Sequence, residues 1–135
     1  MLKSKKRSDC PVSSSLDIWG DKWSLLIIRD LMDAKGCTYG DFLKSPEGIA
    51  TNILATRLQN LEENKLIEKL DHPDSKAKVL YKLTQKGIDL VPVMIAISLW
   101  AEQYFSAHRL ISIITGTKSI PFWVNLYSTF ALLSG

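Results

Sequence analysis

The clearest hydrophobic pattern in the chain lies in the stretch GIATNILATRLQNLEENKLI, residues 48 to 67. At about 100° per residue, Leu54, Leu58 and Leu61 fall in one narrow stripe, as in a helix that packs on a core. The opposite side carries short uncharged polar side chains, which are Asn52, Thr56 and Gln59. Amides and hydroxyls can donate and accept hydrogen bonds without the bulk of solvating charges. The pattern therefore predicts a face that approaches another molecule closely.

Two helices are predicted upstream, in SSSLDIWGDKWSLLIIRDLMDAKG, where Gly20 breaks the pattern. Asp21 is placed to cap the second helix. That helix is predicted to point Lys22, Arg29 and Asp30 toward solvent. Its apolar residues recur at helical spacing and are Trp23, Leu26, Ile27 and Leu31.

A third short helix is predicted in TYGDFLKS, where Thr38 and Asp41 stand in the relation of a capping box. Pro46 and Gly48 end this helix, and the next begins near Ala50 or Thr51. Two short helices joined by a sharp turn form a helix-turn-helix.

Strand periodicity replaces helical periodicity between Leu66 and Thr84. The turn formers in residues 71–78, DHPDSKAK, predict a β-hairpin with a charged tip that projects Lys76 and Lys78. A hairpin that follows a helix-turn-helix is a wing, and its tip can reach phosphates beside the groove that the helix occupies. The predicted fold class is mainly α with a small β-hairpin (α+β), a winged helix-turn-helix.

The next helix is predicted in QKGIDLVPVMIAISLWAEQYF, capped by Thr84 and kinked at Pro92. It is apolar on nearly every side, and a small domain cannot bury such a helix alone, so the pattern predicts a homodimer. The predicted dimerisation residues are Leu90, Val93, Met94, Ile97 and Trp100.

The last segment, residues 108–135, is apolar, and after Arg109 its single charged residue is Lys118. Polar and helix-breaking residues interrupt it, whereas a membrane span needs about 20 mostly apolar residues. We therefore expect it to pack at the dimer interface. Attachment to a membrane surface through this segment is a weaker alternative.

Charge divides the chain further. The net charge is +3, and residues 1–9 form a basic tail with four cations, so the rest of the chain is nearly neutral. Such a tail is either solvated or contacts phosphates or an acidic partner. Residues 10–107 are predicted to form the DNA-binding and dimerisation domain. Two cysteines are too few for a disulfide framework, and no signal segment precedes them, so a cytoplasmic protein is expected.

The motifs CPV, GDKWSLLIIRDL, TYGDF, GIATNILATRLQNLEENKLI, YKLTQKG and LVPVMIAISLW follow one another between Cys10 and about Glu102. In this order and spacing the chain resembles the HxlR-type regulators, which are bacterial transcription factors with a MarR-like winged helix. The resemblance implies a homodimer with flanking N- and C-terminal dimerisation helices and a bacterial cytoplasmic location. It also implies that the helix over residues 51–63 enters the major groove of double-stranded DNA while the hairpin tip flanks it.

Individual DNA contacts follow from side-chain chemistry. Asn52 and Gln59 can pair with adenine, and Thr56 can meet an acceptor or a thymine methyl group. Arg57, at the flank, can reach guanine or a phosphate, or pair with an acidic neighbour. The predicted DNA-binding residues are Thr51, Asn52, Ala55, Thr56, Arg57, Gln59, Lys44, Lys76 and Lys78.

Cys10 is a candidate sensor because Lys5, Lys6 and Arg7 lie beside it, and nearby positive charge favours the reactive thiolate. Some HxlR-type regulators sense electrophiles or oxidants through a cysteine at the matching position, which extends this hypothesis to Cys10. A packed, unreactive side chain is the alternative, and Cys37 is a weaker candidate. A small apolar effector between the dimer helices is a further hypothesis.

Enzyme signatures are absent from the sequence: it has no nucleophile elbow, phosphate loop or metal-ligand spacing, and His72 and His108 are isolated. No enzymatic activity, cofactor or metal is therefore expected. The competing function is a winged-helix protein-interaction module, in which the same polar face meets another protein instead of DNA.

Overall fold

The computed structural model describes residues 7–104, which fold into six helices and three short strands. In chain order these are α1 (Pro11–Trp19), α2 (Ser24–Asp30), β1 (Cys37–Thr38), α3 (Tyr39–Leu43), α4 (Thr51–Glu63), β2 (Ile67–His72), β3 (Ser75–Leu83), α5 (Gln85–Ile88) and α6 (Val91–Tyr104). The predicted winged helix-turn-helix is confirmed. Most of the basic tail and the whole apolar segment 108–135 lie outside the described residues. The chain divides into two compact units, Met1–Ile88 and Asp89–Gly135, which are described separately.

The break between α1 and α2 lies where the sequence predicts it. Gly20 ends α1, and a Cβ atom there would lie 2.4 Å from the carbonyl oxygen of Leu16, so only glycine fits. Asp21 then caps α2, because its Oδ2 accepts hydrogen bonds from the backbone N–H groups of Trp23 (2.8 Å) and Ser24 (2.9 Å).

The buried face of α2 differs from the prediction. Ile27, Ile28 and Leu31 form the core face, and Ile28, which the predicted stripe omitted, is completely buried. The prediction that Arg29 and Asp30 face solvent is wrong. Both side chains are only about one quarter exposed and are ion-paired with each other. The two groups lie 2.9 Å apart, and the attraction between opposite charges at this distance offsets part of the cost of removing both from water.

The helix-turn-helix has the predicted boundaries. Thr38 and Asp41 form a complete capping box at the start of α3, and Phe42 is buried beneath it. In α4, which starts after Ala50 as predicted, Leu54, Leu58 and Leu61 are 0 to 2% exposed. The predicted leucine stripe is therefore the part of α4 that enters the core.

The end of α4 is set by backbone geometry. Lys65 adopts a left-handed φ of 63°. The N–H of Leu66 donates to the carbonyl of Leu61, and that of Lys65 donates to the carbonyl of Glu62. This is the Schellman motif, which satisfies the last carbonyls of a helix.

The sheet has the order β1-β3-β2, and all of its pairings are antiparallel. The hairpin predicted around residues 71–78 is confirmed, but its tip is shorter than this range. Pairing continues to His72 and Ser75, leaving Pro73 and Asp74 as the turn, with an irregularity between Asp71 and His72. Strand β1 was not predicted because two residues are too few to show periodicity.

The predicted long helix after the wing is two helices. Thr84 caps α5 as predicted, since its Oγ1 accepts from the N–H of Gly87 at 3.2 Å. The predicted kink at Pro92 is wrong: α6 begins at Val91, so Pro92 stands in its first turn. The missing N–H of proline has no partner to lose at that position. No helix in the range 7–104 combines the length and apolarity needed to cross a membrane.

We predict that Leu54→Ala lowers the free energy of unfolding by about 2–5 kcal/mol, because it leaves a cavity under α4. Urea denaturation at one fixed protein concentration measures the change. Asn52→Ala, on the exposed side of the same helix, is the matched control and should change stability by no more than about 0.5 kcal/mol. Equal losses in the two variants would contradict the assigned faces of α4.

Candidate nucleic-acid interface

The side of α4 opposite the leucines is exposed. Residues three and four apart are neighbours on a helix surface, so the predicted contact residues form one continuous face. These exposed residues are Thr51, Asn52, Ala55, Thr56 and Gln59. The structure thus brings together all the predicted base-contacting residues of α4 except Arg57, which lies at the flank.

Within this face the polar groups bond to their own helix. The hydroxyl of Thr56 donates to the carbonyl of Asn52 (3.0 Å), and the amide of Gln59 donates to the carboxylate of Glu63 (3.1 Å). Both bonds are exposed, so exchanging them for bonds to a ligand has a small net cost.

Arg57 is turned toward Asp21. Its Nε lies 3.2 Å from the Asp21 Oδ2 and is buried, and the contact is an ion pair that does not meet hydrogen-bond geometry. Burial by itself raises the pKa of Asp21, but hydrogen bonds from Ser24 and Trp23, assisted by the charge of Arg57, lower the pKa below its usual value. The acidic neighbour considered for Arg57 is therefore Asp21, and its role toward DNA stays a prediction.

Two hydrogen bonds fix the position of α4. The hydroxyl of Tyr39 in α3 donates to the carbonyl of Thr51 at 2.6 Å, and the side-chain amide of Asn60 donates to the carbonyl of Ile18 at 3.2 Å. Sequence reasoning missed both, because the partners are 12 and 42 residues apart. The exposed face is consequently held at its two ends by different parts of the chain.

The turn between α3 and α4 is fixed by charged groups of α2. Arg29 binds both carboxylate oxygens of Glu47, at 2.6 and 3.0 Å, and the hydroxyl of Ser45 donates to Asp30. The hydrogen bond from Arg29 lowers the pKa of Glu47, so this carboxylate is charged at neutral pH. A bidentate arginine is more rigid than a single contact, and the turn that aims α4 is therefore held in one geometry.

The predicted backbone-contacting lysines are all exposed. Lys76 and Lys78 lie on β3 near the hairpin turn, and Lys44 follows the last residue of α3. Lys44 and Lys78 line one open cleft between α3 and the hairpin, whereas Lys76 is not part of its lining. Sequence reasoning missed a third lysine in this cleft, Lys69 of β2.

The two cysteines lie in different surroundings. Cys10 is exposed at the start of α1, but Arg7, expected beside it, pairs with Asp17 at 2.6 Å. Cys37 is partly buried, and its thiol donates to the carbonyl of Asp30. Burial, together with nearby carboxylates, raises the pKa of Cys37 to about 12, so it stays a thiol at neutral pH. Residues 7–104 contain no group of three His, Cys, Asp or Glu side chains that could hold a metal ion.

The predicted dimerisation residues lie at the start of and along α6, in the second unit. Leu90, Val93 and Met94 are partly exposed, and Ile97 and Trp100 are 43% and 60% exposed. Large apolar side chains exposed along one helix are typical of a protein-contact surface. Their role in dimerisation stays a prediction.

Comparison with known proteins agrees with this geometry. The family model described as HxlR-like helix-turn-helix matches residues 18–109, which is more than half of the chain. An HTH-type transcriptional regulator of Synechocystis, sll1512, is 35% identical over 98 residues, covering 70% of this chain and 72% of that protein. The Bacillus subtilis HTH-type transcriptional regulator YodB is 34% identical over 96 residues, covering 70% and 85% of the two chains.

Solved structures share the fold. The crystal structure of PA1607 aligns with a TM-score of 0.68 at 44% identity, covering 78% of this chain and 72% of the other. Reduced YodB aligns with a TM-score of 0.61 at 33% identity, covering 73% and 97%. YodB has also been solved after diamide treatment and with bound quinone.

We predict that iodoacetamide at about pH 7.5 labels Cys10 in the native protein and leaves Cys37 unmodified, because the thiolate is the nucleophile and Cys37 holds its proton. Mass spectrometry should find one label on the native chain and two after denaturation. The native Cys10→Ser variant should take up none, and labelling of Cys37 at the rate of an exposed thiol would contradict the prediction.

Proposed function

Because the chain belongs to the HxlR-like helix-turn-helix family of transcriptional regulators, we propose that it binds an operator as a homodimer, with α4 in the major groove and the β2–β3 hairpin on the backbone. The observation that carries this proposal is the division of α4 into a completely buried leucine stripe and an exposed face of small uncharged polar residues. The major groove presents a distinct set of donors and acceptors for each base pair, which such a face can distinguish.

Each residue of this face has a proposed role. The amides of Asn52 and Gln59 can each make paired hydrogen bonds to adenine, and Thr56 can donate to a base acceptor or contact a thymine methyl group. Ala55 and Thr51 are small, so the helix backbone can approach the base edges. Glu63, which accepts from Gln59 in the free protein, would be released to solvent when Gln59 turns to a base.

Affinity would come from the lysines. Lys44 is exposed just after α3, and Lys76 and Lys78 are exposed on β3. Cations there can contact phosphates without sequence preference. Arg57 can contribute at the flank only if its guanidinium leaves Asp21 or reaches DNA with its free end. Lysines of the wing would therefore set how tightly the protein binds, and α4 would set where it binds.

A homodimer bound to an operator would place its two copies of α4 about one duplex turn apart, which is roughly 34 Å. We infer that α6 supplies the contact between the protomers. The exposed Ile97 and Trp100 support α6 as the contact. The operator is then an inverted repeat, and the protein acts in the bacterial cytoplasm. The alternative, a protein-interaction module, would use the same face but would lack a steep dependence on salt.

We further propose that Cys10 responds to oxidants or electrophiles. Cys10 is exposed at the beginning of α1, and the carbonyl of Ile18 near the end of α1 accepts a hydrogen bond from Asn60 of α4. A change at Cys10 therefore has a short physical connection to the DNA-contacting helix. The diamide-treated and quinone-bound forms of YodB support this chemistry for the chain.

We predict that Gln59→Ala changes the preferred operator sequence, losing about 1–3 kcal/mol of discrimination at the adenine it contacts. Lys76→Ala should instead weaken binding to all sequences similarly and reduce the slope of log K against log salt by about 1 for each copy bound. Fluorescence anisotropy with DNA from upstream of the protein's own gene, and with single-base variants of it, measures both effects. If the two variants affect every sequence equally, the assignment of base and backbone contacts is wrong.

We predict that diamide or quinone treatment abolishes operator binding by the wild-type protein and spares the Cys10→Ser variant. Cys37→Ser is the matched control and should remain sensitive, because the Cys37 thiol holds its proton at neutral pH. A mobility-shift assay before and after treatment measures the response. Equal loss of binding in wild type and Cys10→Ser would reject Cys10 as the sensor.

A further inference from the structure

An open cleft of about 460 Å³ lies between α3 and the hairpin. Lys44 reaches it from the end of α3, Lys69 from β2 and Lys78 from β3, and the rings of Tyr39 and Tyr81 also line it. Three lysines therefore line one cleft, one from the residue after α3 and one from each strand of the hairpin. Such convergence around one concave space is what a bound anion requires.

We propose that this cleft seats a phosphodiester group of the DNA backbone and that Lys69 is a phosphate-binding residue of the protein. This inference rests on the proposed function, because it assumes that the chain binds duplex DNA. It adds a contact from β2 to those already proposed from β3 and from Lys44.

The cleft is connected to the start of α4 through one residue. Tyr39 lines the cleft, and its hydroxyl donates to the carbonyl of Thr51, the first residue of α4. The cleft therefore lies beside the end of α4 where the proposed base contacts begin. A phosphate flanking those bases would lie there, and backbone contacts of this kind fix the register of a protein on the duplex.

Lys69 is available for such a contact. Its Nζ lies 4.0 Å from a carboxylate oxygen of Glu62, and the two side chains are 50% and 41% exposed, so this ion pair is weak. The ammonium also lies 6.0 Å from the centre of the Tyr81 ring. Tyr81 itself is buried and packs edge-on against Phe42, which makes the floor of the cleft rigid.

Asp41 is the acid that lines the cleft. Its carboxylate accepts hydrogen bonds from the backbone N–H (2.9 Å) and the hydroxyl (2.8 Å) of Thr38. The bonds from Thr38 lower the pKa of Asp41, with help from Lys44 and Lys78, so it is ionised at neutral pH. Three cations against one anion leave the cleft positive, and the negative charge of Asp41 opposes a phosphate there.

These charges give two variants with opposite expected effects. Lys69→Gln removes a cation while keeping a side chain of similar length. Asp41→Asn removes the opposing anion and keeps an amide oxygen that can accept the hydrogen bonds of Thr38, so the cap of α3 is retained. Loss of a purely structural contact at Asp41 is expected to weaken DNA binding, whereas removal of its opposing charge is expected to strengthen it.

The experiment is fluorescence anisotropy of a labelled duplex over a range of salt concentrations. For Lys69→Gln we expect the slope of log K against log salt to fall by about 0.9 for each copy bound, which is about an eightfold loss of affinity per copy at ~0.1 M salt relative to 1 M. Asp41→Asn should bind more tightly than wild type, and Lys69→Arg should restore the wild-type slope. Lys35→Gln, at an exposed lysine outside the cleft, is the matched control and should change neither quantity.

Thermal melting of each variant confirms that it is folded before binding is compared. A wild-type slope and affinity in folded Lys69→Gln would overturn the proposed phosphate site in the cleft while leaving the proposed function intact. Weaker binding by folded Asp41→Asn would overturn it as well. Failure of the wild-type protein to bind DNA in a salt-dependent way would overturn the proposed function and, with it, the phosphate site.

Discussion

Burial of the leucine stripe of α4 is the constraint on which the rest of the structure depends. Leu54, Leu58 and Leu61 are almost completely removed from water, and each of them contributes roughly 1.5–3 kcal/mol relative to an exposed side chain. A helix cannot rotate about its axis without exposing such a stripe. Its other side is therefore fixed outward, and the polar residues found there remain exposed because of where the leucines lie.

Apolar burial is not directional, so it does not determine how α4 is tilted or how far it protrudes. Directional contacts supply that information. Tyr39 holds the first residue of α4, Asn60 holds its last turns to the end of α1, and the bidentate pair of Arg29 and Glu47 holds the turn that leads into it. The leucines determine which face of α4 is exposed, and these polar contacts fix the orientation of the helix. A helix that meets base edges at fixed positions needs both.

The parts of the fold that sequence reasoning predicted correctly depend on local rules. The cap by Asp21, the capping box of Thr38 and the start of α4 each involve residues within four positions of one another. The failures involve partners far apart. Arg29 was predicted to face solvent because Glu47, its partner, is 18 residues away, and Lys69 was missed because only the folded hairpin brings it near α3. Pro92 shows a different limit, since proline is compatible with a kink and with a first turn, and composition does not decide between them.

The arginines and lysines of the described residues have different roles. Arg7, Arg29 and Arg57 all face carboxylates, which are those of Asp17, Asp30, Glu47 and Asp21. The planar guanidinium suits such fixed pairs, because its donors are arranged in one rigid fork. Lys44, which follows α3, and Lys69, Lys76 and Lys78 of the hairpin are instead exposed, and a lysine ammonium acts on a phosphate as a point charge without a fixed geometry. Four of the fourteen acidic residues, Asp17, Asp21, Asp30 and Glu47, are paired with arginines. Because the wing lysines Lys76 and Lys78 stay exposed, the net charge of only +3 understates the positive charge that the wing offers to a polyanion.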